Sequence, residues 1–285
     1  MPERRVGLKQ VVAVTGIESR WGPSLLGELL RVGETIVALV RQRFLAAAFA
    51  TEIRQGGLHL VWGRGEDPAR LHSLLAIHEV TLLFHLGTLT DVMGSSLVQA
   101  VHRYHCELPV ITLQQPSHAE HVRQFFQAAS LLYGIAEVEE VFGPELPLTA
   151  STDAPKKRNK STLDWPDRSA TEEEPGPEAR RDYVYVSDAA LALRILAQEV
   201  AARRQSHCLP FRSGWQFTAT EWHTLRARVE AGEPCGLAPD SPVHPLGWHP
   251  QQSLGEALQL CSGSHSASIS HPRPSQHLIS RRRAA

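Results

Sequence analysis

The chain has 285 residues, 42% of them apolar and 21% charged, with a formal net charge of −1. That composition is ordinary for a globular protein with room for a sizeable core. The near-zero charge leaves no electrostatic footprint for nucleic acid or an anionic membrane. The four cysteines, at 106, 208, 235 and 261, form no CxxC pair and no disulfide framework, which suits a reducing, cytoplasmic setting. The N-terminus MPERRVGLKQ lacks a signal-peptide apolar core, and no apolar run approaches the ~18 residues that span a bilayer.

Residues 1–10 read as a flexible arm, and order begins at Val11. VVAV is a short apolar run that ends in Thr15-Gly16, and SLLGELL then places leucines at 25, 26, 29 and 30, at helical spacing. Gly33 ends that helix and TIVALV follows as a β-branched strand. This is a strand–turn–helix–strand unit with glycines at 16 and 22. Such a unit turns tightly at the first glycine and packs helix on strand at the last. The helix N-terminus then faces a pyrophosphate. The middle glycine of the fingerprint is replaced by Ser19, whose hydroxyl is itself able to contact a phosphate.

Residues 43–57 have helical composition, and LHLVWG (58–63) is a third strand. Asp67 caps a helix over 67–78 with Pro68 in its first turn. VTLLFHLG (80–87) is a fourth strand, apolar as in a buried parallel sheet. A helix over 91–104 and a strand over 108–113 follow. A Ser117-capped helix then covers 117–134, and a single strand covers 135–144. The alternation predicts an α/β fold, a doubly wound parallel sheet, with a dinucleotide-binding core over 11–147. The segment 148–180 is Pro-rich with separate basic and acidic clusters and reads as a linker. Residues 181–261 restore order: YVYV is a strand, Ser187-Asp188 cap a helix, Thr218 or Thr220 caps a helix over 218–231, and 253–261 is a short helix. Residues 262–285 read as a disordered tail.

Several stretches together resemble the extended short-chain dehydrogenase/reductase family, of the NAD-dependent nucleotide-sugar epimerase/dehydratase type. They are VTGIESRWG, VWGRGEDPARL, LLFHLGT, DVMGSSLVQAV, RDYVYVSDAALAL and LGWHPQQSLGEAL. The resemblance runs from Val11 to Cys261 and implies a Rossmann-like core with a small C-terminal α/β substrate-type lobe. It implies that Gly16, Ser19, Arg20, Trp21 and Gly22 form the pyrophosphate turn. It places Arg41 at the ribose, Arg64 near the adenine, and Gly87 on the nicotinamide side. His85 belongs to the family's strand motif, which implies a place among the cofactor-binding residues, while by itself it reads as a core histidine. It further implies a nucleotide sugar as ligand, and a homodimer through the helices at 91–104 and 117–134, with Val98, Val101, Phe125 and Phe126 on the contact.

The family's proton chemistry rests on Tyr-x-x-x-Lys: a tyrosine takes the proton and a lysine one helical turn away lowers its pKa. The motif is absent, because the residues four beyond Tyr104, Tyr133, Tyr183 and Tyr185 are Leu108, Glu137, Ser187 and Ala189. Alignment on the helix after the fifth strand puts Gln114 at the tyrosine position and His118 at the lysine position, with Thr112 near the family's Ser/Thr. Thr112 and His118 are therefore the catalytic candidates. His118 and His121 share a helix face, but no third metal ligand has diagnostic spacing. Arg41 and Arg43 lean towards NADP over NAD, because a guanidinium pairs with a 2′-phosphate. The expectation is an NAD(P)-binding, epimerase/dehydratase-like protein with impaired catalysis that binds a nucleotide or a partner. The alternative is an active epimerase, dehydratase or reductase with an altered site.

Overall fold

Seven parallel strands form the central sheet, in the order β3-β2-β1-β4-β5-β6-β9. The structure is a computed structural model that describes residues 10–19, 21–41, 46, 49–87, 89, 91–144, 178–235 and 243–263. The strands are β1 (Val11–Thr15), β2 (Thr35–Val40), β3 (Leu58–Trp62), β4 (Leu82–His85), β5 (Val110–Gln114), β6 (Tyr133–Glu137) and β9 (His207–Pro210). A three-stranded sheet, β10-β8-β7, lies apart from it. It is built from β7 (Glu140–Phe142), β8 (Arg181–Tyr185) and β10 (Gln216–Phe217).

The helices are α1 (Gly22–Arg31), α2 (Ala50–Arg54), α3 (Pro68–Ile77), α4 (Asp91–Tyr104), α5 (Pro116–Ala128), α6 (Val186–Arg203), α7 (Ala219–Glu230) and α8 (Leu254–Gly263). Strand alternation sorts the core into two layers. Val12, Val14, Ile36, Ala38, Phe84 and Ile111 face α1 and α6, where Leu25, Leu26, Leu193 and Leu196 meet them. Ala13, Val37, Leu83, Val110 and Ile135 face α3, α4 and α5, where Leu71, Leu97, Val122 and Phe126 meet them. Helices therefore cover both faces, the doubly wound arrangement that the sequence predicts. Arg194 on α6 donates to the Glu28 carboxylate on α1 at 2.7 Å and ties the two helices of one layer. Burial alone would raise Glu28, but the Arg31 and Arg194 guanidiniums outweigh it and hold the carboxyl below its ordinary value. Among the described residues no helix is long and apolar enough to cross a membrane.

Several boundaries differ from expectation. The segment 135–144 is not one strand. It breaks after Glu137, and β7 joins the small sheet, because Asp182 N–H donates to the Glu139 carboxylate at 2.5 Å and draws the chain across to β8. The helix expected over 117–134 ends at Ala128. Ser130 turns with φ 52°, Leu131 N–H bonds Phe126 C=O, and Tyr133 already lies in β6. Ser117 does not cap that helix, which starts at Pro116 with Gln115 in the N-cap position and no side-chain cap. Ser187 and Asp188 do not cap α6 either: the N-cap is Tyr185, and Asp188 lies inside the first turn. Strand β9 was not read from sequence. Asp67 does cap α3, donors being Ala69 N–H and Arg70 N–H, and Thr218 closes a capping box with Glu221.

Helices α4 and α5 pass closely, since a Cβ on Gly94 would lie 2.9 Å from the Phe125 ring. Of the four residues assigned to a dimer face, Val101 and Phe126 are fully buried in the core, leaving Val98 and Phe125 partly exposed. The expected linker 148–180 falls outside the described residues as far as 177, as do the arm at 1–9 and the tail from 264.

Candidate dinucleotide site at the C-terminal strand ends

The order of the sheet reverses between β1 and β4, and in a doubly wound sheet ligands bind outside the carboxyl ends of the strands at such a switch point. The loop after β1 is shaped there by two glycines. Gly16 has φ +71°, and a Cβ on it would lie 2.5 Å from Gly87 N at the end of β4. Only a residue without a side chain permits that approach between the two loops. Gly22 opens α1, and a Cβ there would lie 2.0 Å from Ile17 C=O. Ser19 N–H donates to Gly16 C=O at 2.9 Å, and Gly22 N–H donates to Ser19 C=O at 3.0 Å. The helix start carries no side-chain cap hydrogen bond.

The hydroxyl of Ser19 is buried and meets no hydrogen-bonding partner among the described residues. It therefore occupies the place of the missing middle glycine with a polar atom still to be satisfied. Trp21 is buried to 4% exposure in the α1–α6 core layer. Arg20 lies outside the described residues, as does Arg43. These features fit a dinucleotide pyrophosphate: a tight turn, an uncapped helix start and an orphaned hydroxyl.

The next three strands present a polar row. Register aligns Thr15 on β1 with His85 on β4, and His85 with Thr112 on β5. Thr15 Oγ1 and His85 Nδ1 are 2.7 Å apart. Burial pushes His85 down to about 4, so its ring is neutral at pH 7. His85 Nε2 is buried without a partner among the described residues. A Cβ on Gly87 would lie 3.4 Å from the His85 ring, so this glycine keeps the space beside the imidazole open. Thr112 is fully buried, and its hydroxyl accepts from the Gln114 side-chain amide at 2.8 Å.

His118 sits in the first turn of α5, immediately beyond the carboxyl end of β5, half-buried, with Nδ1 3.4 Å from Ser117 Oγ. The strands thus bring Gly16, Ser19, Gly22, His85, Gly87 and Thr112 to one end of the sheet. Arg41 and Arg64 are exposed at the ends of β2 and β3. Glu18 and Thr15 were not singled out from sequence. Glu18 Oε1 accepts Arg41 N–H at 2.6 Å, which joins the loops after β1 and β2. No sequence signal marked it, because its partner is a backbone N–H on another strand.

Proton-handling groups are the weak part of this site. A single residue, Gln115, separates β5 from α5, so no loop carries a tyrosine towards the cleft. Tyr183 and Tyr185 lie in β8, and burial pushes both hydroxyls up to about 12, the opposite of an activated base. Tyr104 donates to Val80 C=O at 2.9 Å. The four lysines, 9, 156, 157 and 160, all lie outside the described residues.

No family model matches the chain, and no curated protein matches it in sequence. Solved structures match its fold. A UDP-glucose 4-epimerase from Stenotrophomonas maltophila, with bound NAD and formylated UDP-arabinopyranose, is 14% identical with a TM-score of 0.65, over 90% of this chain and 100% of that one. The UDP-Glc/GlcNAc 4-epimerase of Campylobacter jejuni is 14% identical with a TM-score of 0.63, over 90% and 98%. The UDP-glucose 4-epimerase of Thermotoga maritima, with UDP-glucose, is 14% identical with a TM-score of 0.58, over 90% and 98%. The chain thus has the Rossmann-like fold of these epimerases across nearly its whole length.

Proposed function

We propose that this chain binds a nicotinamide dinucleotide as an extended short-chain dehydrogenase/reductase-like protein with impaired catalysis, and acts through nucleotide or partner binding. The observation that carries the reading is the pairing of a tight turn that keeps Gly16 and Gly22 but has Ser19 in place of the middle glycine with a one-residue β5–α5 connection that leaves no Tyr-x-x-x-Lys. When bound, the nicotinamide would supply a hydride acceptor. Gly16, Ser19 and Gly22 would hold the pyrophosphate, and neutral His85, braced by Thr15, would offer Nε2 to a polar group without taking a charge. Gln114, held by the buried Thr112 hydroxyl, would orient a nucleotide sugar through its amide. The similarity of fold to UDP-sugar epimerases supports that ligand class.

Isothermal titration of the full chain with NAD⁺ and NADP⁺ should show binding. A subsequent panel of nucleotide sugars should give no absorbance change near 340 nm and no epimerised product. Turnover would overturn the impairment and turn attention to Thr112 and His118 as the altered proton path, at a rate about 10²–10⁴-fold lowered by the lost base. Silence towards both dinucleotides would overturn the cofactor reading.

A second copy of this chain is our proposed occupant of the α4–α5 face, by analogy with the family. A shallow groove there is lined by Val98, Gln99, His102 and Phe125. Phe125→Glu should then lower the mass in solution from dimer to monomer by light scattering. An unchanged mass would remove this face from consideration.

A further inference from the structure

The end of β2 carries a second charged group beside the arginine on which the sequence-based leaning towards NADP rests. In a doubly wound sheet the adenosine ribose lies over the end of the second strand, where an acid reads its hydroxyls or an arginine receives a 2′-phosphate. Here the strand ends at Val40 and the next residue is Arg41, with an exposed side chain. Taken alone, that arginine selects NADP.

The loop after β1 changes the electrostatics. β1 and β2 are neighbours in parallel register, with Thr15 opposite Leu39, so the loops that leave them run side by side. Glu18 stands two residues beyond Gly16, half-buried, on the turn that Ser19 N–H closes onto Gly16 C=O. Its carboxylate spans the gap and accepts Arg41 N–H at 2.6 Å, a charge-assisted bond that holds it at the end of β2. One oxygen is engaged by that backbone donor. A carboxylate has further acceptor capacity on the other oxygen, which suits ribose hydroxyls. A 2′-phosphate brought to the same spot would meet a fixed like charge.

We propose that Glu18, reaching across from the glycine turn, reads the adenosine ribose in this protein and selects NAD over NADP despite Arg41. The inference rests on the dinucleotide reading above and sharpens it. Glu18 differs in place from an acid carried on β2 itself, because the residue that pins the phosphate turn is the same one that discriminates at the ribose.

The test is calorimetric titration of the full chain with NAD⁺ and NADP⁺, and with the fragments 5′-AMP and adenosine 2′,5′-bisphosphate. The native protein should bind NAD⁺ at least about tenfold more tightly than NADP⁺, since like-charge juxtaposition is penalised by at least that factor. Glu18→Gln keeps the side-chain length and an acceptor for Arg41 N–H while removing the charge, and should collapse the ratio to near one. Arg41→Ala should leave the preference for NAD⁺ in place. Equal or tighter NADP⁺ binding by the native protein overturns the proposal while leaving dinucleotide binding intact. A ratio unchanged in Glu18→Gln overturns it too. Should that variant fail to fold, the native ratios for both the dinucleotides and the fragments decide. Binding of neither dinucleotide removes the cofactor reading, and this inference with it.

Discussion

Gly22→Ala should be among the most damaging single substitutions in the chain, with a loss of about 3 kcal/mol or more of stability. The added Cβ would lie 2.0 Å from Ile17 C=O and 2.6 Å from its carbonyl carbon. Both are backbone atoms of the turn, so no side chain can swing aside to make room. The turn and the start of α1 would have to separate, and Leu25, Leu26 and Leu29 are fully or almost fully buried against the sheet on that helix. Dinucleotide binding should fall with the turn. Gly27→Ala is the matched control on the same helix. A Cβ there meets nothing within 4 Å, so it should stabilise by roughly 0.5–1 kcal/mol through helix propensity. Denaturant midpoints for the two variants check both signs. Equal, small effects would show that the turn does not press on the helix as described.

Asp188→Asn should stabilise the protein above pH 6 by as much as about 3 kcal/mol, and the gain should vanish towards pH 4. Asp188 is 1% exposed inside the first turn of α6. Its Oδ1 accepts Gln251 N–H at 3.0 Å, and Oδ2 finds no partner among the described residues. Trp248 Nε1 donates to the Asp188 backbone carbonyl at 3.1 Å, so the same residue anchors the loop before α8 twice. Burial raises the carboxyl from 3.8 to about 6, against partial relief from Gln251 N–H and from His249. The folded state therefore holds the proton more tightly than the unfolded chain. The stability this contributes is fully present below pH 3.8 and is lost as pH rises through about 6. An asparagine keeps the acceptor for Gln251 and never ionises, which removes that loss. Tyr185, pushed up to about 12, stays neutral across the window and does not confound it. Urea unfolding of both proteins from pH 4 to pH 8 measures the difference. Parallel curves would mean that Asp188 is not the titrating group.

How the two substitutions act bears on how much of the site was readable. Gly16 and Gly22 were recognisable from spacing alone, because a strand-to-helix turn of that length demands residues without side chains. The same motif marked Ser19 as the replacement of the middle glycine, while only the structure shows its hydroxyl buried without a partner among the described residues. Glu18 did not announce itself: an acid in a loop is ordinary, and its partner is a backbone N–H on another strand. Asp188 was read as a helix cap because Ser-Asp before an apolar run is the usual capping pattern. Its actual partner, Gln251, is distant in the chain.

The sequence by itself determined the alternation of elements, the burial of strands β1, β2, β4 and β5, the glycine turn after β1, and the absence of a tyrosine–lysine pair one helical turn apart. Those properties are local: periodicity marks which face of a segment must leave water, and turn geometry marks which residues lack room for a Cβ. Only the tertiary structure decided that 135–144 divides between two sheets, that the short strand His207–Pro210 completes the edge of the large one, and that the Glu18 carboxylate accepts Arg41 N–H at the end of β2. Each of those depends on a hydrogen bond between segments far apart in sequence, where composition within a window carries no information about the partner.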